Sequence, residues 1–353
     1  MKKKLTIAII IGFVSLIAGL ILAGIGFFTG GITRLEEVAA PTEVHKTFTD
    51  LNTIKIDFIP HSVYIKESSD SNYHVTYANS DNNMQSPLKL AEKEGTLTLS
   101  SQQESFAIEG IMQYLGERLA QRRINVFSVT IEVPKGKTLD KLEGEGLHFY
   151  EYGSFVIENV HIKEIDLSGG VDLDKVTIDS GHIQTDSFNS FESTLKNLEI
   201  SGSNTMINLS GVTLENVKIE DYYDLSAIEV SFKGNNILTP SKTNSYNHTR
   251  LDLTEQSLQD INLNINTQFD LMALAQNQGY YAENEKELEE MMGDLTHLEK
   301  QFENMGIHTR GGYEKLSVKK EDRKQSLTLE NKNSKNNLTI DAVNATIAFE
   351  ESK

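Results

Sequence analysis

The 353-residue sequence predicts a mainly β protein: a parallel β-solenoid (β-helix) that follows one N-terminal transmembrane helix and carries helical insertions. Three observations predict this fold. An uncharged apolar run follows three N-terminal lysines, a short phrase of alternating apolar and polar residues recurs, and two segments place apolar residues at helical spacing.

The N-terminal segment predicts a membrane anchor. Residues 5–28 contain no charged side chain, and a helix of about 20 residues spans a hydrocarbon core of about 30 Å. The lysines within residues 1–4 place that end in the cytoplasm and the bulk of the chain outside the cell. A cleaved signal peptide has an apolar core of only about 7–15 residues, so we expect a retained anchor. Residues 29–46 are predicted to form a short stalk.

The main signal is a phrase in which an apolar residue, two polar residues and then alternating apolar and polar residues lead into Ser, Gly, Asn or Asp. It occupies residues 162–169, 173–181, 195–202 and 214–221. The starts of these copies are unevenly spaced, and the first interval is half of the second. This spacing predicts a coil of about 20–22 residues that is sometimes marked at half a coil.

Each copy has the period of a strand with one buried face. We expect Val176 and Ile178 to point inward and Thr177 and Asp179 outward, with Ser, Gly, Asn and Asp forming the corners. Stacked coils would share one apolar core and pair their backbones. The alternative is an antiparallel sandwich. The absence of Asn-Gly and Asp-Gly turns across residues 139–265 favours the solenoid.

Two helical insertions are predicted within the extracellular domain, which spans residues 47–350. The first covers about residues 105–123, with Ser105 as its N-cap. The second covers about residues 269–305 and is rich in methionine. Its apolar stripe is expected to dock on the flank of the solenoid or to cap an open end, and the alternative is a helix that binds a partner.

The segments at residues 48–56, 62–65, 73–77 and 95–99, followed by the repeated phrase, resemble the bacterial "putative adhesin" β-strand-repeat family. This family is common on Gram-positive surfaces, and some members are similar to proteins encoded beside regulators of cell-envelope stress. The resemblance covers about residues 47–350. It implies a surface protein without catalytic residues to carry over, and the helical insertions depart from the plain repeat.

Composition excludes several classes of chemistry. The net charge of −18 argues against a nucleic-acid binder. The absence of cysteine excludes disulfides, cysteine-ligated zinc, iron–sulfur clusters and thiol nucleophiles. The sequence also lacks Gly-x-Ser-x-Gly, His-Glu-x-x-His and a glycine-rich phosphate loop. We therefore predict no catalytic, cofactor-binding or metal-binding residues.

Three weaker patterns remain. His148, His161 and His182 are expected to stack as outward polar groups rather than to bind a metal. Asp172 and Asp174 lack the spacing of a calcium loop and are interpreted as solvated corner acids. Neighbouring coils about 4.8 Å apart would bring together the carboxylates that a glycosidase needs, at Asp166, Asp179 and Glu199. The outward slot of the coils, however, contains no basic stripe for an acidic polymer, since it is predicted to read Asp166, Thr177, Glu199 and Lys218.

The sequence thus predicts a non-enzymatic surface protein, an adhesin or wall-associated scaffold that binds a cell-wall polymer or a membrane or surface protein. One alternative is a regulatory partner in cell-envelope stress sensing. A second is a polysaccharide-active β-helix enzyme. The ligand and the oligomeric state stay open at this point.

Overall fold

The computed structural model describes residues 2–31, 33–34, 37, 42–59, 61–79, 88–101, 119, 128–146, 154–242, 246–302 and 304–351. Helix α1 (Lys2–Phe28) contains the predicted apolar run. Within the described ranges, its section Lys4–Gly26 is the one helix long and apolar enough to cross a membrane, and none of it is buried. A helix of this kind is either an anchor or a signal sequence.

The rest of the described chain is mainly β. Its strands, in chain order, are β1 (Thr42–Phe48), β2 (Thr53–Ile59), β3 (Ser62–Glu67), β4 (Tyr73–Asn79), β5 (Leu88–Lys93), β6 (Thr96–Ser101), β7 (Ser128–Val133), β8 (Thr138–Gly146), β9 (Phe155–Glu158), β10 (His161–Ser168), β11 (Val171–Asp174), β12 (Thr177–Gln184), β13 (Ser187–Phe191), β14 (Thr194–Lys196), β15 (Leu198–Ser210), β16 (Thr213–Glu215), β17 (Lys218–Ile228), β18 (Ser231–Lys233), β19 (Asn235–Pro240), β20 (Asn247–Asp252), β21 (Asn262–Gln268), β22 (Gly306–Thr309), β23 (Val318–Glu321), β24 (Lys324–Leu329), β25 (Asn337–Val343) and β26 (Ala345–Phe349).

The strands pair in two ladders. Ladder A runs β5, β6, β2, β8, β10, β12, then the pairs β14/β15, β16/β17 and β18/β19, and finally β25, β21, β24 and β23. Ladder B runs β1, β4, β7, β3, β9, β11, β13, β15, β17, β20, β26 and β22. The long strands β15 and β17 begin in ladder A and end in ladder B. The chain therefore alternates between the two ladders as it advances.

The middle of both ladders is parallel and in register. In ladder A the buried side chains Ile162, Ile178, Leu195, Leu214 and Phe232 are successive partners. Every interval between their positions in the sequence is shorter than the predicted coil. The predicted coil length is therefore wrong for the stretch from Ile162 to Phe232, where the coil is shorter.

The coil length was overestimated because the second copy of the phrase, at residues 173–181, begins in ladder B rather than in ladder A. Leu173 belongs to β11 of ladder B, whereas Ile162 and Leu195 belong to ladder A. The interval from Ile162 to Leu173 is half a coil, as predicted, but the interval from Leu173 to Leu195 is one coil and a half. Only the interval from Leu195 to Leu214 is a whole coil. The predicted inward and outward alternation from Val176 to Asp179 agrees with their burial.

The sheet is mixed, because antiparallel strands occupy both ends of ladder A and one end of ladder B. Strands β1, β4 and β7 are antiparallel neighbours in ladder B, and β5 pairs in this way with β6. At the other end β21, β24 and β23 are antiparallel. The β5–β6 hairpin turns at Glu94-Gly95, where both residues have positive φ, 53° and 77°, as in a type I′ turn. Hairpins of this kind occupy the edges where the coils stop.

The corners that follow β9, β11, β13, β15 and β17 of ladder B each contain one residue in the left-handed conformation. The φ angles lie between 45° and 65° at Asn159, Lys175, Glu192, Gly211 and Glu229. Each of their N–H groups donates to a carbonyl of the next coil at 2.8–3.0 Å. The expected corner residues were Ser, Gly, Asn and Asp, and this expectation is wrong for the Lys and the two Glu. Each corner residue is followed by a buried one, namely Val160, Val176, Ser193, Val212 and Val230.

The segment predicted as the second insertion contains three helices, after the short α2 (Glu255–Gln259): α3 (Leu271–Asn277), α4 (Glu285–Met292) and α5 (Thr296–Phe302). They bury a core separate from that of the ladders. The apolar stripe therefore packs on itself. The Asn344 side chain exchanges two hydrogen bonds of 2.8 Å with the backbone of Asp270, which fastens the start of the helical segment to the corner between β25 and β26. The predicted 105–123 insertion lies outside the described residues, except for residue 119.

Gly181 provides a test of the register. It lies on ladder A between Ile165 and Leu198, and a Cβ there would sit 1.9 Å from the carbonyl oxygen of Ile165. Its φ of +140° adds backbone strain. We expect Gly181→Ala to lower the free energy of unfolding by about 3 kcal/mol.

Chemical denaturation of the full chain measures this effect, and Gly170→Ala is the matched control. The control Cβ would meet only the Ser154 side chain, at 3.6 Å, and should change stability little. Equal effects of the two substitutions would show that the coils do not approach each other at Gly181.

Candidate functional site

The outer face of ladder A contains stacked charges of alternating sign. Lys163 contacts Asp140 of the preceding coil at 2.6 Å. Lys196 contacts Asp179 at 3.0 Å and is the strand partner of Glu215 on the following coil. These side chains face solvent, where an ion pair stabilises little, but like charges stacked at this spacing would repel each other. The charged side chains of this row therefore form ion pairs with one another.

A second row on the same face contains two more ion pairs, although Glu143 and Asp166 are neighbours of like charge in it. Lys55 contacts Glu143 at 3.3 Å, and Lys218 contacts Glu199 at 3.2 Å. The hydrogen bond from Lys141 is the main cause that lowers the pKa of Glu143, and that from Lys218 does the same for Glu199. The two lysines thus favour the charged forms of Glu143 and Glu199.

The carboxylates considered for a glycosidase do not form its pair. The register places Asp166, His182, Glu199 and Lys218 in one row. Thr177 is therefore not in the slot predicted for it, and His182 separates Asp166 from Glu199. Asp179 lies in a different row, where the hydrogen bond from Lys196, together with His161, lowers its pKa. A general acid of a glycosidase needs a raised pKa.

The predicted stacking of histidines is also wrong. The His161 ring lies 3.1 Å from Thr138 Oγ1 and 2.7 Å from Asp179 Oδ2. His182 lies in the other row, between Asp166 and Glu199. His148 falls outside the described residues. Among the residues that the structure describes, no group of three or more His, Asp or Glu side chains is placed to hold a metal ion.

Asp172 and Asp174 lie within β11 rather than at a corner, which corrects their interpretation as corner acids. Asp172 accepts a hydrogen bond of 2.6 Å from the Asn189 amide on the next coil. Asn189 in turn accepts one of 2.8 Å from Asn208, one coil further along. The three side chains form a continuous hydrogen-bonded row along the outer face of ladder B.

A shallow cavity of about 290 Å³ runs beside this row. Phe191 lies in it with 45% of its surface exposed, and the Lys175 ammonium sits 5.5 Å from the centre of the ring. We name this surface the ladder B groove and define it by Val156, Asp172, Asn189, Phe191, Asn208 and Ile228.

The ladder B groove combines an exposed aromatic ring with amide side chains that are held in fixed orientations by hydrogen bonds. Such a surface suits contact with an extended ligand, because the ring supplies apolar area and the amides supply directional hydrogen bonds. The sequence did not reveal it, since Asp172, Asn189 and Asn208 follow each other at intervals shorter than the predicted coil. Only the true coil length would have aligned them.

The chain matches one protein family and is similar to several solved structures. The family described as Toastrack DUF4097 matches residues 51–348, which confirms the family resemblance seen in the sequence. Three solved structures are similar at low identity. A "putative cell adhesion protein" from Clostridium sporogenes is 12% identical over 88% of this chain and 100% of that chain, with a TM-score of 0.24.

A "putative adhesin" from Bacteroides fragilis is 14% identical over 57% of this chain and 89% of that chain, with a TM-score of 0.25. Another from Parabacteroides merdae is 14% identical over 61% of this chain and 85% of that chain, with a TM-score of 0.29. No functionally curated protein matches the chain.

The ion pairs of Asp179 predict how stability depends on pH. The folded-state pKa of this carboxyl lies below its ordinary value of 3.8. Its contribution is therefore present above that pH and is lost as the pH falls through the lowered value. We expect Asp179→Asn to remove about 0.5 kcal/mol at pH about 7, since the group is partly exposed, and less at pH about 3, which lies below the ordinary value of the carboxyl pKa.

Denaturant unfolding of the full chain at both pH values measures the difference. Asp166→Asn is the control, because it leaves Asp179, Lys196 and His161 in place and should retain the wild-type difference. A loss of stability in Asp179→Asn that is the same at both pH values would contradict the ion-pair explanation.

Proposed function

The chain belongs to the Toastrack DUF4097 family, and we propose that it is a non-enzymatic, single-pass membrane protein that works as an adhesin or wall-associated binding scaffold. In this proposal residues 1–4 are cytoplasmic and residues 5–28 span the membrane. Residues 29–46 form the stalk, and residues 47–350 form the extracellular β-solenoid. The uncharged run in α1 and the three lysines before it support this orientation.

The parallel middle of the two ladders supports the solenoid. Successive coils pair in register and build a rigid surface longer than a single sheet face. The exported part contains 30 basic and 51 acidic residues. This excess of acidic groups is repelled by an anionic lipid surface, which suits a domain that stands away from the membrane.

The observation that carries the proposal is the difference between the two outer faces. On ladder A, Lys163, Lys196 and Lys218 each pair with a carboxylate of the preceding coil. The ladder B groove instead exposes Phe191 beside the bonded row of Asp172, Asn189 and Asn208. The partner in this proposal is a cell-wall polymer or a surface protein that lies along the groove. Of the carboxylates that the rival enzyme would use, Asp179 and Glu199 have pKa values lowered by hydrogen bonds from lysines, which favours their charged form.

Binding of the full chain, in lipid nanodiscs, to isolated Gram-positive cell walls tests the proposal. Truncation of exposed aromatic residues at a binding surface commonly costs about tenfold or more in affinity. We therefore expect Phe191→Ser and Asn189→Ala each to weaken binding by about tenfold. The matched control is Asp166→Asn on ladder A, which should bind as the wild type does.

If Phe191→Ser and Asn189→Ala both bind the walls as tightly as the wild type does, the groove is not the binding surface. Failure of the wild-type chain to bind the walls, together with failure to bind any protein of the same cell surface, would overturn the scaffold function itself. Thermal unfolding of each variant establishes that the fold is intact.

A further inference from the structure

The outer face of ladder A changes character towards the C-terminal end of the coils. The row that contains Glu199 and Lys218 continues through Ile237 on β19, Thr339 on β25 and Asn264 on β21. Charged side chains thus give way to apolar, hydroxyl and amide groups along one register line. The adjoining row consists of asparagines on the same three strands, β19, β25 and β21. We name this surface the amide face and define it by Asn235, Asn262, Asn264, Thr328, Asn337 and Thr339.

The asparagines are held in fixed orientations. Asn337 donates to Asn235 Oδ1 at 2.6 Å, and Asn262 donates to Asn337 Oδ1 at 3.1 Å. The Asn331 backbone N–H donates to Asn262 Oδ1 at 2.7 Å, which closes the chain of bonds. Because each amide oxygen accepts within the row, the direction of every amide is set before a ligand arrives. A surface ordered in advance loses less entropy on binding.

Polar groups beside these asparagines have hydrogen-bond donors and acceptors that are not used within the described part of the chain. Asn264 is exposed, and its oxygen accepts one bond of 3.3 Å from Asn266 while its own N–H groups make none to a described residue. The hydroxyls of Thr328 and Thr339 likewise make no hydrogen bond to any residue that the structure describes. A hydroxyl can both donate and accept, and an amide offers both functions side by side.

These groups line a cavity of about 650 Å³, which is more than twice the volume of the ladder B groove. Its charged lining residues, Glu330 and Lys332, are of opposite sign and both exposed. Ile237, the neighbour of Thr339 on the adjacent strand, is 40% exposed and supplies apolar area at the edge. The site therefore offers donors, acceptors and apolar contact without net charge.

From this geometry we propose that the amide face binds a segment of an uncharged polysaccharide. Sugar hydroxyls are both donors and acceptors and match the amide and hydroxyl groups, while their C–H faces match the apolar edge. A polyanion would find no net positive charge here on a chain of net charge −18. The site is separate from the ladder B groove and does not depend on it.

Titration of the full chain in lipid nanodiscs with defined oligosaccharides tests the proposal. The probes are uncharged oligomers of glucose and of N-acetylglucosamine, and an oligogalacturonate serves as the anionic counterpart. We expect at least one uncharged oligomer to bind and the oligogalacturonate not to bind. The double substitution Asn264→Ala/Thr339→Val should weaken that binding at least tenfold, and Thr328→Val, at an exposed position, should weaken it severalfold. Asp166→Asn lies on ladder A outside both the amide face and the ladder B groove, and should leave that binding unchanged.

Binding of none of the uncharged oligomers would overturn the proposal. Equal binding of the oligogalacturonate, or affinity that neither Thr328→Val nor the double variant reduces, would overturn it as well. Thermal unfolding of each variant separates a lost site from a lost fold. Because Phe191→Ser and Asn189→Ala report on the ladder B groove in the cell-wall assay, failure at one surface is distinguished from failure at the other.

Discussion

The structure depends on one constraint: each coil must return in register, so that its backbone hydrogen-bonds to the coils on either side. The corners after β9, β11, β13, β15 and β17 satisfy this constraint with a single left-handed residue, whose N–H donates to the next coil. For Lys175, Glu192 and Glu229 this conformation costs about 1–2 kcal/mol each, which the shared core and the complete backbone pairing offset. Because the corner recurs, Ile162, Ile178 and Leu195 align in the core.

The register of the coils also determines which side chains are neighbours on the outer faces of the two ladders. Side chains one coil apart lie about 4.8 Å from each other, so every outward position is part of a row. Where the row contains charges, as at Asp179 and Lys196, opposite signs alternate and engage each other. Where it contains amides, as at Asn189 and Asn208 or Asn235 and Asn337, the side chains form hydrogen-bonded lines. The same stacking rule thus gives a self-paired charged surface and two uncharged or weakly charged surfaces that are suited to a ligand.

The periodicity of single strands was readable from the sequence, but the connection between strands was not. The phrases at 195–202 and 214–221 lie one coil apart on ladder A, and the helices within 269–305 are present. The copy at 173–181 was misaligned because the Lys175 corner carries no glycine or asparagine signal. That misalignment lengthened the predicted coil and moved Thr177 into the wrong row. Asn189 and Phe191 could not be recognised from the sequence for the same reason, since residues can be assigned to a row only when the register is known.

Cross-linking within the ladder B row tests the register most directly, and the absence of native cysteine gives a clean background. Asn189 and Asn208 are strand partners on adjacent coils, at a separation of about 4.8 Å that suits a disulfide. The structure therefore predicts that Asn189→Cys/Asn208→Cys forms a disulfide under mild oxidation. Asn189→Cys/Ser226→Cys should stay reduced, because Ser226 lies one coil further along. Efficient cross-linking of the second pair but not the first would contradict the stacked, in-register arrangement.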